Sequence, residues 1–248
     1  MVASLFLFAV LVGAYSALLL LIQSRLDQAR KAEQNWPIPS VFPTVSVLIA
    51  FRKEERNLPD LLAALRLLRF PSEKLEILLI NDHSEDAGPD LIEAFQQTEP
   101  DFPIRLLHLP ENQTGKKAAL HLGVDHAIGE WLAFTDADCL PDADWLNGLF
   151  RVQQGDEADL VCGSVQVDAR RSSFRTGLDQ LETAALMAVG AFGILSGMPN
   201  FCNGANLLVR KSDWLQSFDS RQDSNLPGGD DVFLLHALHA AEKTVSWA

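Results

Sequence analysis

Positive charge is scarce in this chain. Its 248 residues carry 20 Lys and Arg against 33 Asp and Glu, a formal net charge of −13. That balance argues against nucleic acid as a partner, because phosphate backbones are bound by basic surfaces. An acidic protein that handles an anionic ligand needs local cations or a metal instead of a globally positive field. Cysteine is scarce too. Cys139, Cys162 and Cys202 are odd in number and far apart, with no zinc-ligand spacing and no disulfide framework, which fits a reducing compartment. No internal repeat and no low-complexity tract breaks the chain, so its length speaks for one substantial core plus an appendage.

The appendage comes first. Residues 1–24 contain no charged side chain, and Met1 to Ile22 is almost wholly apolar. A bilayer core takes about 20 apolar residues as helix, so the stretch is long enough to span it. A cleaved signal peptide is the alternative, with small residues around Ala14, Ser16 and Ala17 as its site. No basic segment precedes the apolar run, and the run continues past that site, which favours an uncleaved transmembrane helix over 1–24. Arg25, Arg30 and Lys31 follow it and no Lys or Arg precedes it. The positive-inside rule then puts the remainder at the cytoplasmic face of a membrane, anchored by a single pass. Residues 25–43 read as a juxtamembrane linker, with a polar helical stretch from Leu26 to Gln34 and then Trp36, Pro37, Pro39 and Pro43. The folded domain is expected over 44–248.

Within that domain, strand and helix patterns alternate. Strands are expected at Val45–Ala50, Leu75–Ile80, Ile104–Leu109, Trp131–Thr135, Asp159–Val167 and Leu207–Arg210. Helices are expected from the Leu58, Leu61, Leu62, Leu65, Leu68 stripe and at Leu91–Gln97, Ala118–Ala127, Trp145–Val152 and Val232–Ala241. Phe174–Leu195 reads either as a buried helix or as a membrane-facing amphipathic one; Asp179 and Glu182 argue against a second span. Alternation of this kind gives an α/β fold, a mostly parallel mixed sheet with helices on both faces.

Polar clusters fall after the strands and before the helices, on the edge where such sheets hold ligands. Asp136 and Asp138 follow the apolar run from Trp131. Residues i and i+2 of a strand or its extended continuation point to one side, so both carboxylates can face a hard divalent cation that also holds a diphosphate. The same residues also suit an acidic loop ahead of a helix cap at Pro141–Asp142. Asp82, in Asn81-Asp82-His83-Ser84-Glu85-Asp86, can accept the imide N–H of a uracil; a turn is its plainer use. Lys116 opens a helix whose N-terminus attracts anions, and reaches either a diphosphate or water. Asp230 and Asp231 precede the last helix beside Gly228-Gly229; a cap accounts for one of the two carboxylates but not obviously for both. Asn203-Gly204-Ala205-Asn206 has turn composition.

Taken in order, these motifs resemble those of the family-2 glycosyltransferases with the fold called GT-A, in particular the membrane-bound branch that glycosylates lipids or polymerises sugars. Asn81 to Asp86 is similar to that family's Asp-Asp-x-Ser-x-Asp motif, Gly115 to Leu120 to its Gly-Lys-x-x-Ala-Leu segment, Asp136-Ala137-Asp138 to its metal motif, and Gly228 to Leu234 to its late acidic motif. The resemblance covers residues 44 to 248 and implies a UDP-sugar donor, a lipid or glycan acceptor, inversion at the anomeric carbon and Mg²⁺ or Mn²⁺ as cofactor. It implies further that Ala50, Arg52 and Glu54 belong to the nucleotide loop, that Asp82 and Lys116 bind the donor, that Asp138 is the direct metal ligand with Asp136 on the metal or the ribose, that Asn203, Gly204 and Asn206 line the donor–acceptor junction, and that Asp231, beside Asp230, is the base. The branch's Gln/Arg-x-x-Arg-Trp motif and its later transmembrane helices have no counterpart here, so the chain reads as cut short at its C-terminal end. Two other readings fit fewer residues. One is a catalytically incomplete membrane-tethered nucleotide-sugar-binding module. The other is a nucleotidyltransferase, which needs a glycine-rich loop where Phe51 to Arg56 has no glycine.

Overall fold

The structure, a computed structural model, describes residues 2–37, 39–168, 173–219 and 229–248. In chain order its elements are α1 (Val2–Asn35), β1 (Val45–Phe51), α2 (Leu58–Arg66), β2 (Leu75–Asn81), α3 (Gly88–Thr98), β3 (Ile104–His108), α4 (Lys116–His126), β4 (Trp131–Phe134), α5 (Trp145–Asp156), β5 (Leu160–Cys162), α6 (Phe174–Leu195), β6 (Leu207–Arg210), α7 (Lys211–Asp219), α8 (Asp230–Ala240) and β7 (Val245–Trp247). The strands form one sheet in the order β3-β2-β1-β4-β6-β5-β7. β3, β2, β1 and β4 run parallel; β6 is antiparallel to both β4 and β5, and β7 is parallel to β5.

Strand alternation divides the core in two. Val45, Val47, Ile49 and Phe51 of β1 pack with Leu58, Leu61, Leu62 and Leu65 of α2, Ile92 of α3 and Leu146, Leu149 and Phe150 of α5. Leu48 points the other way and packs with Leu78 and Ile80 of β2, Ala119 and Val124 of α4, and Leu234, Leu235 and Leu238 of α8. Helices therefore cover both faces, as the near-continuous apolar runs of β1 and β2 require. On the α4 side the approach is close: a Cβ on Gly123 would meet Leu48 Cδ2 at 2.7 Å.

Two elements differ from the sequence pattern. The strand expected over Asp159–Val167 pairs only at Leu160–Cys162; beyond it the Gly163 N–H donates to Asn206 O at 2.8 Å and the ladder stops. α7 was not legible, because β6 runs straight into it with no turn residue between Arg210 and Lys211. α1 continues without a break from the apolar segment into the polar stretch and ends at Asn35. Along α1 every described side chain from Ser4 to Leu21 is exposed, whereas Ile22, Leu26, Ala29 and Glu33 are half-buried on one face where the helix meets α5 and α6. The turn expected at Leu226-Pro227-Gly228 lies outside the described residues.

A buried carboxylate pins the end of the sheet opposite the loops 51–56 and 81–87. Glu76, 6% exposed, accepts from Ser46 Oγ at 2.5 Å, from the Ile128 N–H at 2.9 Å and from Arg105 Nη1 at 2.8 Å. One side chain thus ties β1, β2, β3 and the α4–β4 turn together, and Gly129 in that turn sits so close that a Cβ would fall 2.4 Å from Ser46 N. Glu76→Ala strands the Ser46 hydroxyl and the Ile128 N–H without their acceptor; Arg105, half-exposed, returns to water. The expected loss is about 2–3 kcal/mol, read as a lower urea midpoint for the detergent-solubilised chain.

Candidate active site

Parallel strands deliver their carboxyl ends to one edge. The chain leaves β1 for β2 and β3, then returns to β4 on the other side of β1, which makes the β1–β4 junction the point where connections diverge, the place where sheets of this kind hold ligands. β6 runs the opposite way and pairs Leu207 with Phe134, so its N-terminal approach, Asn203–Asn206, arrives at the same edge as the end of β4.

The loops at that edge are laced together. Lys53 (φ 60°) and His83 (φ 53°) both take the left-handed conformation just past their strands. The Lys53 N–H donates to Ser84 Oγ at 3.0 Å, and the Glu55 N–H to Asp86 Oδ2 at 2.9 Å. The Ala87 N–H donates back to Glu55 Oε2 at 3.2 Å. His83 Nε2 lies 2.9 Å from Gln113 O, which ties in the loop before α4. Ala50 is half-buried at the end of β1, and Glu54 accepts from Asn57 Nδ2 at 2.6 Å beside the start of α2.

The start of α4 gathers the acids. Asp82, 5% exposed, accepts from the Gly115 N–H at 3.1 Å and from Thr114 Oγ1 at 3.4 Å, with Arg52 Nη1 3.7 Å away. Lys116 Nζ is 2.5 Å from Asp136 Oδ1. Lys117 Nζ is 3.0 Å from Asp230 Oδ1. Three consecutive residues therefore reach carboxylates from the end of β2, the end of β4 and the start of α8. Next to Asp230, Asp231 accepts through Oδ2 from the Gly204 N–H at 2.8 Å, and a Cβ on Gly204 would come within 3.3 Å of that oxygen. Asn203 shapes the turn, its Oδ1 accepting from the Ala205 N–H at 2.9 Å. Asn206 faces elsewhere: Trp145 Nε1 donates to its Oδ1 at 2.9 Å and its Nδ2 donates to Ser164 O at 2.8 Å, so its amide braces α5 against the exit of β5.

Asp136 and Asp138 lie on a turn and not on an extended continuation of β4: the Cys139 N–H donates to Asp136 O at 3.1 Å. Ala137 is buried between them, Asp136 is half-buried and Asp138 is exposed. Burial, reinforced by the charges of Asp138 and Asp136, pushes the Cys139 thiol up to about 11. Among the described residues no group of three or more His, Cys, Asp or Glu side chains could hold a metal. Two carboxylates do suit Mg²⁺ or Mn²⁺ when phosphate oxygens and water complete the octahedron. The donor set thus fits a cation that arrives with a diphosphate and does not fit an all-protein cage.

Lys117, Thr114 and Trp145 escaped sequence reading. Nothing marks which of two adjacent lysines meets which acid, and Trp145 reads as an ordinary helix start. Gly115, whose N–H meets Asp82, is open to a direct test. Its φ of 96° excludes side chains although nothing lies within 4 Å of where a Cβ would sit. Gly115→Ala is expected to lower stability by about 1–3 kcal/mol from backbone strain alone. Gly148→Ala, equally open but inside helix α5, is expected to be neutral or slightly stabilising in the same denaturation series.

The family model described as glycosyl transferase family 2 matches residues 46–214. A dolichyl-phosphate beta-glucosyltransferase of Dictyostelium discoideum is 28% identical over 141 residues, covering 53% of this chain and 42% of that protein. The chain spans less than half the length of the curated relatives it matches. Among solved structures, the mannosyltransferase PcManGT from Pyrobaculum calidifontis in complex with GDP-Man and Mn²⁺ superposes with a TM-score of 0.63 at 18% identity, over 95% of this chain and 65% of that one. Residues 1–349 of TarS from S. aureus, in complex with UDP-GlcNAc, give 0.59 at 16% identity, over 83% and 56%. At such identities the two structures establish the fold.

Proposed function

Because the chain belongs to glycosyl transferase family 2, we propose that it moves a hexose or N-acetylhexosamine from a UDP-sugar to a lipid or polysaccharide acceptor at the cytoplasmic face of a membrane, with inversion and with Mg²⁺ or Mn²⁺. The observation that carries this reading is the grip of Gly115, Lys116 and Lys117 on Asp82, Asp136 and Asp230. It makes one crevice out of residues scattered through the chain.

Each group then has a role that its surroundings support. Asp82 has lone pairs beyond those taken by Gly115 and Thr114, enough to accept the uracil imide N–H. Arg52 and Lys116 are half-exposed cations at the mouth of the crevice and counter the donor's phosphate charge. Asp138 and Asp136 would hold a divalent cation, whose charge would offset that growing on the departing diphosphate. Asp231 takes the proton of the acceptor hydroxyl. As it does, the acceptor oxygen bonds to the anomeric carbon, and the bond from that carbon to the β-phosphate oxygen breaks, its electron pair leaving with UDP. Gly204 holds Asp231 in place by its N–H, and Asn203 holds Gly204's turn. α1, exposed and apolar from Ser4 to Leu21, supports a single-pass anchor, with Arg25, Arg30 and Lys31 on the cytoplasmic side. The name of the dolichyl-phosphate relative supports a lipid acceptor.

Nucleotide release from UDP- and GDP-sugars, with and without Mn²⁺, tests the reading. Release of UDP that requires Mn²⁺ supports it; a preference for GDP-mannose contradicts the role of Asp82, and pyrophosphate release from UTP points to nucleotidyl transfer. Binding without turnover fits a donor-binding module. Asp231→Asn is expected to lower turnover by about 10²–10⁴-fold with little change in UDP affinity in calorimetry. Asp82→Asn, which keeps an oxygen to accept from the Gly115 N–H, is expected to do the reverse, weakening UDP while leaving the rate at saturating donor within a few-fold.

A further inference from the structure

Helix α4 opens with two lysines, and they are not alike. Lys116, which reaches Asp136, has a side chain 53% exposed. Lys117 is only 23% exposed and meets Asp230, itself 27% exposed, at 3.0 Å. An exposed pair is weak and screened by water. An enclosed pair is costly to break, because each partner is left as an uncompensated charge away from water. Asp230 Oδ1 is buried and accepts no hydrogen bond, so the ammonium beside it is what compensates it. Among the described residues Lys117 is the one cation in ion-pair contact with Asp230 or Asp231.

The start of α8 has little else to hold it. Gly229 enters the helix at φ 78°, and no side chain caps the first turn. The residues that bury α8, Leu234, Leu235 and Leu238, begin a turn further on. Among the described residues, the side-chain contacts that tie the first two residues of α8 to other elements are Lys117 on Asp230 and the Gly204 N–H on Asp231 Oδ2. Asp231 Oδ1 accepts from the Val232 N–H, which belongs to the same turn and moves with it. We propose that Lys117 is a positioning residue for the transfer: it ties the first turn of α8 to the start of α4 and so holds the Asp231 carboxylate in register with a donor bound at Lys116. The proposal rests on Asp231 being the base, the role proposed above. The two lysines then divide the work. Lys116 is free to turn to the diphosphate. Lys117 stays with Asp230 and offsets its charge, so that the acid pair does not repel the donor. Because the lysines are adjacent on one helix, donor and base are both referred to a single rigid element.

Four variants of the detergent-solubilised full chain test this: Lys117→Met, Lys117→Arg, Asp230→Asn, and Lys117→Met with Asp230→Asn. Amide exchange at Gly204, followed by NMR with labelled glycine, reports the Asp231 contact without any turnover. It is expected to quicken severalfold in Lys117→Met, to quicken alike in Asp230→Asn, and to go no further in the double variant. Lys117→Arg, which keeps the charge, is expected to return it towards the wild-type rate. In UDP release, Lys117→Met is expected to lower kcat by about 10- to 100-fold with KM for the UDP-sugar within a few-fold, and Lys117→Arg to restore most of the loss. A raised KM with unchanged kcat would make Lys117 a phosphate ligand and overturn the proposal. A lower urea midpoint with kcat and Gly204 exchange both unchanged, the behaviour of a purely structural pair, would overturn it too. A wild-type chain that releases no UDP from UDP-sugars fails the glycosyltransferase reading instead, and Gly204 exchange still decides whether Lys117 holds α8.

Discussion

Everything at the loop-bearing edge of the sheet depends on where α4 begins. A main-chain N–H and two lysines, on three successive residues, reach carboxylates from two strand ends and from the first turn of a distant helix. Without those contacts Asp82, Asp136 and Asp230 would be separate acids on separate loops, repelling one another. With them, anionic loops are held around a positive helix N-terminus. Gly115 makes the geometry possible, since its backbone conformation lets the chain turn into the helix with the N–H aimed at Asp82.

Such an arrangement would let a chain with a net charge of −13 handle the proposed anionic donor. The cations that matter are few and local. Arg52 and Lys116 each sit beside an acid, and each pair is only partly shielded from water, so it can exchange partners when a phosphate enters. Glu76, by contrast, is buried with all its partners satisfied at the other end of the sheet and holds the frame. One end of the sheet is locked and the other is left adjustable.

Much of this was legible beforehand. The parallel strands, the covering helices and the long α6 follow from apolar runs and periodicity, and the strand-end acids follow from position alone. What escaped has physical reasons. A two-residue period cannot tell an extended segment from a tight turn, so the Asp136–Asp138 pair was expected on an extension of β4 where a turn is found. Asn206 sits beside Asn203 in sequence, yet its amide is spent bracing Trp145 and Ser164, a tertiary use that no local pattern announces. α7 follows β6 directly, and its boundary lacks the turn residues that mark the others.

The central claim is that a nucleotide's phosphates and a divalent cation meet between the start of α4 and the turn after β4. Anomalous difference density from Mn²⁺ in crystals grown with UDP tests it most directly. A peak is expected within coordination distance of Asp138, Asp136 or both, with the diphosphate between that peak and Lys116 and the uracil against Asp82. Manganese and nucleotide bound at any place remote from Gly115–Lys117 would contradict it.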